Sequence, residues 1–325
     1  MYNKTYNSFT GGNDISMGDL NKYEIFLKAA EIGSFKKPAD ELNYTQAGIA
    51  YVITSLEKEF GISLFIRNYG EVTLSSEGKM LLPYIQNICT HEKKLRNIID
   101  EIKHLDAGYV TVGVFTSFYV TCFARLVRLF GEKHPHIKII PYYTDEQDKL
   151  TEKAVSGEID LAFGIAPVPE ILKSVKLLED PIVAILPQGH PLTEKEHLSV
   201  SDLQNTPYVQ NENGTYSEVD NIFNRYDIKP YVAATTQNDF VTVAMVEEGF
   251  GYALVPAIFC NAVNNSVVIK PLEIDAKREI DVFYNQALPL SNAAREFLEV
   301  TEEFFSDSEN YFFKLFKKNV FKPRL

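Results

Sequence analysis

Basic residues are in short supply: 32 Lys and Arg stand against 44 Asp and Glu in 325 residues, a formal net charge of −12. A protein that coats nucleic acid through overall positive charge is therefore excluded. Cysteine is scarcer still, with Cys89, Cys122 and Cys260 far apart and never as Cys-x-x-Cys, which argues against a disulfide framework or a zinc site. Their apolar surroundings predict inert buried thiols. No window reaches 18 consecutive apolar residues, and the polar stretch Met1–Ser16 lacks the apolar core of a signal peptide. The expectation is a cytoplasmic protein with no membrane contact. Catalytic constellations are missing too. No His-Glu-x-x-His spacing and no Gly-x-Ser-x-Gly elbow occurs, and Gly249-Phe250-Gly251 follows a helical pattern and precedes a strand, the reverse of a dinucleotide loop. No metal, no cofactor and no enzymatic activity are expected.

What is present is organised in blocks. Hydrophobic residues make up 45% of the chain, enough for more than one core. Residues 1–105 carry 12 basic and 13 acidic side chains, 106–310 carry 15 and 31, and 311–325 carry 5 and none. A near-neutral front and an acidic body imply different tasks. From Asp19, Leu20, Tyr23, Phe26, Leu27 and Ala30 fall at helical spacing up to Gly33-Ser34. A second short helix is expected over Phe35–Leu42, with Pro38 in its first turn, and a third after Thr45, burying Ile49, Ile53, Leu56 and Phe60 and ending at Gly61. Leu64–Arg67 and Glu71–Leu74 flank Asn68-Tyr69-Gly70 as a hairpin. Three helices and a hairpin make a winged helix-turn-helix candidate. Ser75 then caps a long helix reaching about Leu105, on which Leu81, Ile85, Ile88, Leu95, Ile99 and Ile102 recur at spacings that suit lengthwise packing on a symmetry mate.

Beyond Gly108 strands alternate with helices. Strands are expected at Val110–Phe115, Ile137–Tyr142, Ile159–Gly164, Ile182–Leu186, Tyr208–Gln210, Tyr231–Ala234, Gly251–Pro256 and Ile280–Tyr284. Helices are expected over 118–132, 146–156, 217–225, 239–248 and 291–305. Such alternation predicts parallel strands with crossover helices, in two α/β lobes joined near 180 and 268. The boundaries expected are an extension at 1–16 without order, a winged helix-turn-helix at 17–77, a linker and dimerisation helix at 78–106, lobe I at 107–180 and 268–308, lobe II at 181–267, and a basic aromatic tail at 309–325.

From about Met17 to Phe305 the sequence resembles the LysR-type family of bacterial transcriptional regulators. The resemblance rests at the front on Asp19-Leu20, Phe26, Ala30, Gly33-Ser34-Phe35, Ala39, Leu42, Thr45-Gln46, Ile49, Leu56-Glu57, Gly61, Leu64-Phe65, Arg67, Leu74 and Gly78. In the body it rests on His134-Pro135, Gly157–Ala162, His190-Pro191 and Gly249–Pro256. It implies an N-terminal winged helix-turn-helix, a long linker helix and a two-lobed, periplasmic-binding-protein-like α/β effector domain. It also implies double-stranded DNA, a small-molecule effector, RNA polymerase and further copies of the chain, as homodimer or homotetramer, as partners.

For DNA the candidates are Lys36, Lys37, Thr45, Gln46, Ala47, Ala50, Tyr51, Thr54 and Arg67. Thr45 and Gln46 open the recognition helix, where a phosphate can meet free N–H groups and the glutamine can read adenine. Lys36, Lys37 and Arg67 are candidate phosphate contacts. Between Asn43 and Glu59 only Lys58 is basic, which predicts a shallow salt slope and reliance on avidity. The effector candidates are Thr116, Ser117, Gly164, Ile165, Gln210, Asn211, Thr236 and Asn238, on loops at the carboxyl ends of strands. Thr116-Ser117 is read as suited to a carboxylate, and Phe115, Phe118 and Phe163 either as an apolar wall or as core. Against this regulator reading stands a ligand-binding protein that has lost specific DNA recognition and acts through protein partners.

Overall fold

The computed structural model describes residues 17–36, 44–68, 71–103, 108–212, 216–262 and 266–320. The expected extension at 1–16, nearly all of the expected second helix, Lys37, Pro38, the hairpin tip and residues 321–325 lie outside them. The chain divides into two compact units at Arg96/Asn97.

In the first unit α1 (Met17–Ile32) and α2 (Gln46–Phe60) pack through Tyr23, Ile25, Phe26, Ala29, Ile49, Ile53 and Leu56. Thr45 caps α2 as the sequence predicts, its hydroxyl oxygen accepting from Gly48 N at 3.0 Å. Gly61 ends α2 with φ of 71°, a left-handed position that glycine takes without a Cβ penalty. Strands β1 (Phe65–Asn68) and β2 (Glu71–Leu74) pair antiparallel. Helix α3 (Ser76–Lys103) follows, with the Ser75 hydroxyl accepting from Gly78 N at 2.9 Å. Its expected stripe divides: Ile85 is buried in the core of the unit and Leu81 packs against that core, whereas Ile88, Leu95, Ile99 and Ile102 are exposed.

The second unit is built on one mixed sheet. Its strands are β3 (Gly108–Val114), β4 (Ile137–Tyr143), β5 (Leu161–Ile165), β6 (Leu172–Pro187), β9 (Ala253–Pro256), β10 (Val267–Lys270) and β11 (Lys277–Asn285). They are ordered β10-β6-β11-β5-β3-β4, with β9 also on β6. Strands β7 (Pro207–Asn211) and β8 (Tyr231–Thr236) form a separate parallel pair, joined to the chain before β9 by a bridge between Tyr208 and Tyr252. Thr116–Phe118 (α4), a π-helical turn at Tyr119–Phe123 and Ala124–Lys133 (α5) make one helical run. The remaining helices are α6 (Gln147–Ser156), α7 (Val200–Asn205), α8 (Tyr216–Arg225), α9 (Asp239–Glu247) and α10 (Asn292–Val320).

Four expectations need correction. The parallel arrangement holds for β3 with β4, β3 with β5 and β7 with β8. Strand β11 is antiparallel to β5 and β6, and β9 and β10 are antiparallel to β6. Strand β6 runs 16 residues, far beyond the expected Ile182–Leu186, because Pro181, which reads as a strand breaker, sits where the strand changes partners. Up to Pro181 it pairs with β11, and from Ile182 with β9 and then β10. The crossover expected near 268 falls within β10, whose partners are Ala184–Pro187. Finally, α10 continues past Phe305 to Val320, since no proline or glycine interrupts that stretch before Pro323.

Gly78 is required by close approach, because an added Cβ would lie 2.2 Å from the Leu64 carbonyl oxygen and 3.0 Å from Leu74 Cδ2. Replacing it by alanine is expected to destabilise the first unit by about 1 to 3 kcal/mol in a denaturant titration, with the loss confined to that unit's transition.

Candidate functional site

In the first unit the exposed face of α2 is formed by Gln46, Ala47, Tyr51 and Thr54, with Thr45 exposed at its start and Ala50 half-buried. Tyr51 is 77% exposed. Glu57 holds this helix to the hairpin: Oε1 accepts from Leu64 N at 2.8 Å and Phe65 N at 3.2 Å, and Oε2 accepts from Arg67 Nη2 at 2.8 Å. Arg67 also donates to Thr54 Oγ1 at 3.1 Å, with its guanidinium 5.5 Å from the Phe35 ring centroid. Its side chain, expected to hold a phosphate, stays 43% exposed while it ties the hairpin to α2. Lys36 is exposed.

In the second unit the site forms where β3, β4, β7 and β11 end or change partners. Asp145, shortly after β4, takes up the donors at the start of the α4 run. Its Oδ1 accepts from Thr116 N at 2.8 Å, and its Oδ2 accepts from Thr116 Oγ1 and from the Tyr143 hydroxyl, each at 2.7 Å. The Thr116 N–H and hydroxyl, expected to suit a carboxylate, are thus bonded to a carboxylate of the chain itself. Ser117 Oγ accepts from Arg278 Nη2 at 2.8 Å. Arg278, 6% exposed, also donates through Nε to Oδ2 of Asp180, 2% exposed, at 2.9 Å, and its guanidinium lies 5.2 Å from the Phe115 ring centroid. Asp180 Oδ1 accepts from Ile258 N at 2.9 Å. Burial pushes the Asp180 carboxyl up, and the Arg278 charge acts against that shift.

From β7 and α9, Asn211 Nδ2 donates to Asp239 Oδ1 at 2.6 Å, and Thr236 and Thr242 share a 2.5 Å hydroxyl contact. Asn238 caps α9 by accepting from Phe240 N and Val241 N. Asp239 is pushed up to about 6, chiefly by burial and then by the charge of Asp145, with Arg278 and the Asn211 amide acting the other way. Tyr143 is raised as well, mainly by burial, and Asp145 and Asp239 add to the shift.

The expected effector residues separate accordingly. Thr116, Ser117, Asn211 and Thr236 are buried around the Asp145–Asp239–Arg278 group. Gln210 pairs opposite Thr235 in the β7–β8 ladder, and its backbone oxygen accepts from Thr236 Oγ1 at 3.4 Å. Gly164 and Ile165 serve packing: Ile165 N and O are both bonded to the Gln147 amide, and a Cβ on Gly164 would meet Phe283 at 2.7 Å. Phe118 and Phe163 stack at 4.3 Å inside the core, so the core alternative holds for them. Tyr143, Asp145, Asp180, Asp239 and Arg278 were missed. The first two lie at the end of β4, where the strand-end rule applied to β3 and β5 would have found them, and Asp239 adjoins the candidate Asn238; nothing in the local sequence marks Asp180 or Arg278. Among the described residues no group of three or more His, Cys, Asp or Glu could hold a metal ion, and no helix is long and apolar enough to cross a membrane.

Residues 20–79 match the bacterial regulatory helix-turn-helix proteins of the lysR family, and residues 103–306 match the LysR substrate binding domain. The chain belongs to the LysR family. It is a DNA-binding transcriptional regulator with an effector-binding domain. Similar LysR-type relatives include the uncharacterized HTH-type transcriptional regulator YvbU of Bacillus subtilis, 24% identical with 88% of this chain and 98% of the relative covered. The HTH-type transcriptional activator CmpR of Synechocystis is 24% identical, with 86% and 93% covered. Among solved structures, full-length CbnR in complex with its target DNA has a TM-score of 0.69 at 17% identity, covering 87% of this chain and 99% of that one. HinK, a LysR family transcriptional regulator from Pseudomonas aeruginosa, has 0.55 at 21%, covering 87% and 97%.

Two outcomes follow for this LysR regulator. Glu57→Ala strands two backbone N–H groups and frees Arg67, and is expected to cost about 1 to 3 kcal/mol of stability in the first unit by denaturant titration. For Asp239 the folded carboxyl titrates above its unfolded value of 3.8, so its stabilising contribution is complete below that value and is lost as pH rises through about 6. Asp239→Asn should therefore gain stability relative to the parent by about 1 to 2 kcal/mol between about pH 5 and about pH 7.5, read from thermal unfolding at each pH.

Proposed function

We propose that Thr45, Gln46, Ala47, Ala50, Tyr51 and Thr54 form the DNA-reading face of this regulator, with Lys36 and Lys37 on neighbouring phosphates and Arg67 positioning the helix through Glu57. One observation carries the reading: the exposed face of α2 opens with an N-cap threonine and an exposed glutamine and has no acidic residue in its first turn. Such a face enters a major groove without repelling phosphate, and a glutamine near the start of the helix pairs with adenine. We propose further that the cleft lined by Thr116, Ser117, Asn211 and Thr236 takes the effector, with Gln210, Asn238, Gly164 and Ile165 shaping its rim. The effector favours one arrangement of the lobes and thereby alters how an oligomer presents its DNA heads.

The exposed apolar stripe of α3, Ile88, Leu95, Ile99 and Ile102, supports assembly as a homodimer or homotetramer by helix-on-helix packing. In this reading the protein acts in the cytoplasm, works with RNA polymerase and carries no catalytic activity of its own.

Fluorescence anisotropy with DNA from upstream of its own gene, against scrambled DNA over a salt series, tests the proposal. Gln46→Ala should weaken specific binding by about 1 to 3 kcal/mol and leave scrambled DNA unaffected. Arg67→Ala should weaken both DNAs alike. Equal binding of both DNAs by the parent protein would instead support a regulator that works through protein partners.

A further inference from the structure

We infer that Arg278 reads the effector, its Nη1 donating together with the Ser117 hydroxyl to a neutral carbonyl oxygen on the ligand. This rests on the proposal that the cleft is the effector site, and it names a recognising residue and the chemical class of the group recognised. A guanidinium has five N–H bonds and no acceptor, so each needs a lone pair from elsewhere. In Arg278, Nε donates to Asp180 Oδ2 at 2.9 Å, and Nη2 lies 2.9 Å from Asp180 Oδ2 and donates to Ser117 Oγ at 2.8 Å. Nη1 has no partner among the described residues, although the side chain belongs to a residue only 6% exposed. The Ser117 hydroxyl, on a residue 2% exposed, accepts from Nη2, while its own proton has no acceptor among the described residues. Asp281 Oδ1 is the one fully enclosed side-chain polar atom without a partner among them, so Nη1 is not enclosed and opens on a space that a ligand can enter.

Nη1 shares its carbon with Nη2, which touches Ser117 Oγ, so both spare donors are within reach of a single oxygen atom. The charges already in place set the class of that oxygen. Asp180 neutralises the guanidinium, and a second carboxylate, Asp145, is bonded to the N–H and hydroxyl of Thr116, the residue next to Ser117. Two carboxylates against one guanidinium leave this group acidic, so a carboxylate on the ligand would meet net repulsion. An ammonium group would bring further donors to a place that already has two to spare. A carbonyl oxygen accepts from both donors with no charge to desolvate. The Phe115 ring, 5.2 Å from the guanidinium carbon, lends apolar cover beside them. The same planar group holds Asp180 where β6 changes partners, so an oxygen on Nη1 is bonded to the joint itself and favours the lobe arrangement that keeps all of these contacts.

The full-length protein would be titrated by calorimetry and thermal shift with butyramide and γ-butyrolactone as carbonyl probes, and with butyrate, n-butylamine and n-butanol as matched controls. The carbonyl probes are expected to raise the unfolding temperature and to bind about ten-fold tighter than the acid, the amine or the alcohol. Arg278→Lys keeps a positive charge for Asp180 and removes Nη1, and is expected to abolish the preference for butyramide over butanol. Ser117→Ala leaves the ion pair intact, which guards against a variant that fails to fold, and is expected to weaken butyramide about five-fold to ten-fold. Butyrate binding in preference to the carbonyl probes, and weakened by Ser117→Ala, would overturn the neutral class. Carbonyl binding unchanged in both variants but lost in Thr236→Val would overturn the role of Arg278. Either of these results leaves the effector site standing, whereas no response to any probe would overturn both.

Discussion

The buried pair of Arg278 and Asp180 is the constraint on which the second unit depends. Asp180 stands on β6 just before Pro181, where that strand leaves β11 for β9, and Arg278 stands opposite it in register. Removing either partner would leave an uncompensated charge inside the protein, at a cost of about 3 to 5 kcal/mol. The pair also fixes what lies around it: Asp180 holds the Ile258 N–H after β9, while Arg278 holds Ser117 at the start of the α4 run and covers the Phe115 ring. One ion pair thus connects the three segments at the joint between the lobes, and the cleft inherits its geometry from them.

Committing Arg278 to this joint leaves the other acidic groups near it to neutral donors. With that guanidinium bonded to Asp180 and Ser117, Asp145 turns inward to the Thr116 and Tyr143 donors and Asp239 takes the Asn211 amide. The first unit shows a similar diversion on a smaller scale. Glu57 and Arg67 are charged groups beside the outward face of α2, yet both are used to fix the angle between α2 and the hairpin. The groups left outward, Gln46, Ala47 and Tyr51, are uncharged, so recognition there depends on shape and hydrogen bonding more than on attraction to phosphate.

Local signals were legible wherever a cap, a stop or a period decided the structure. Thr45 and Gly61 bounded α2, Ser75 opened α3, and the alternating apolar runs located most strands of the second unit to within a residue or two. The family could be read from the same residues. The exposed half of the α3 stripe was also visible as a period, although periodicity alone could not say which of its residues belonged to the unit's own core.

Tertiary structure decided what depended on pairing between distant segments. Pro181 reads locally as a break, yet it lies within a continuous strand because its missing N–H falls where β6 changes partners. Strand direction for β9, β10 and β11 was set by the route of the chain between lobes, which local alternation does not encode. The proposed effector site shows the same division. Its loops were marked by strand ends and cap residues, but its charge came from Asp145, Asp180, Asp239 and Arg278, which lie far apart along the chain. A single carboxylate or guanidinium carries no periodic signal. Sequence alone therefore determined the elements, the family and the outward face of α2, while the fold decided which charges met an opposite charge and which met neutral donors, because pairing is a property of distance in space.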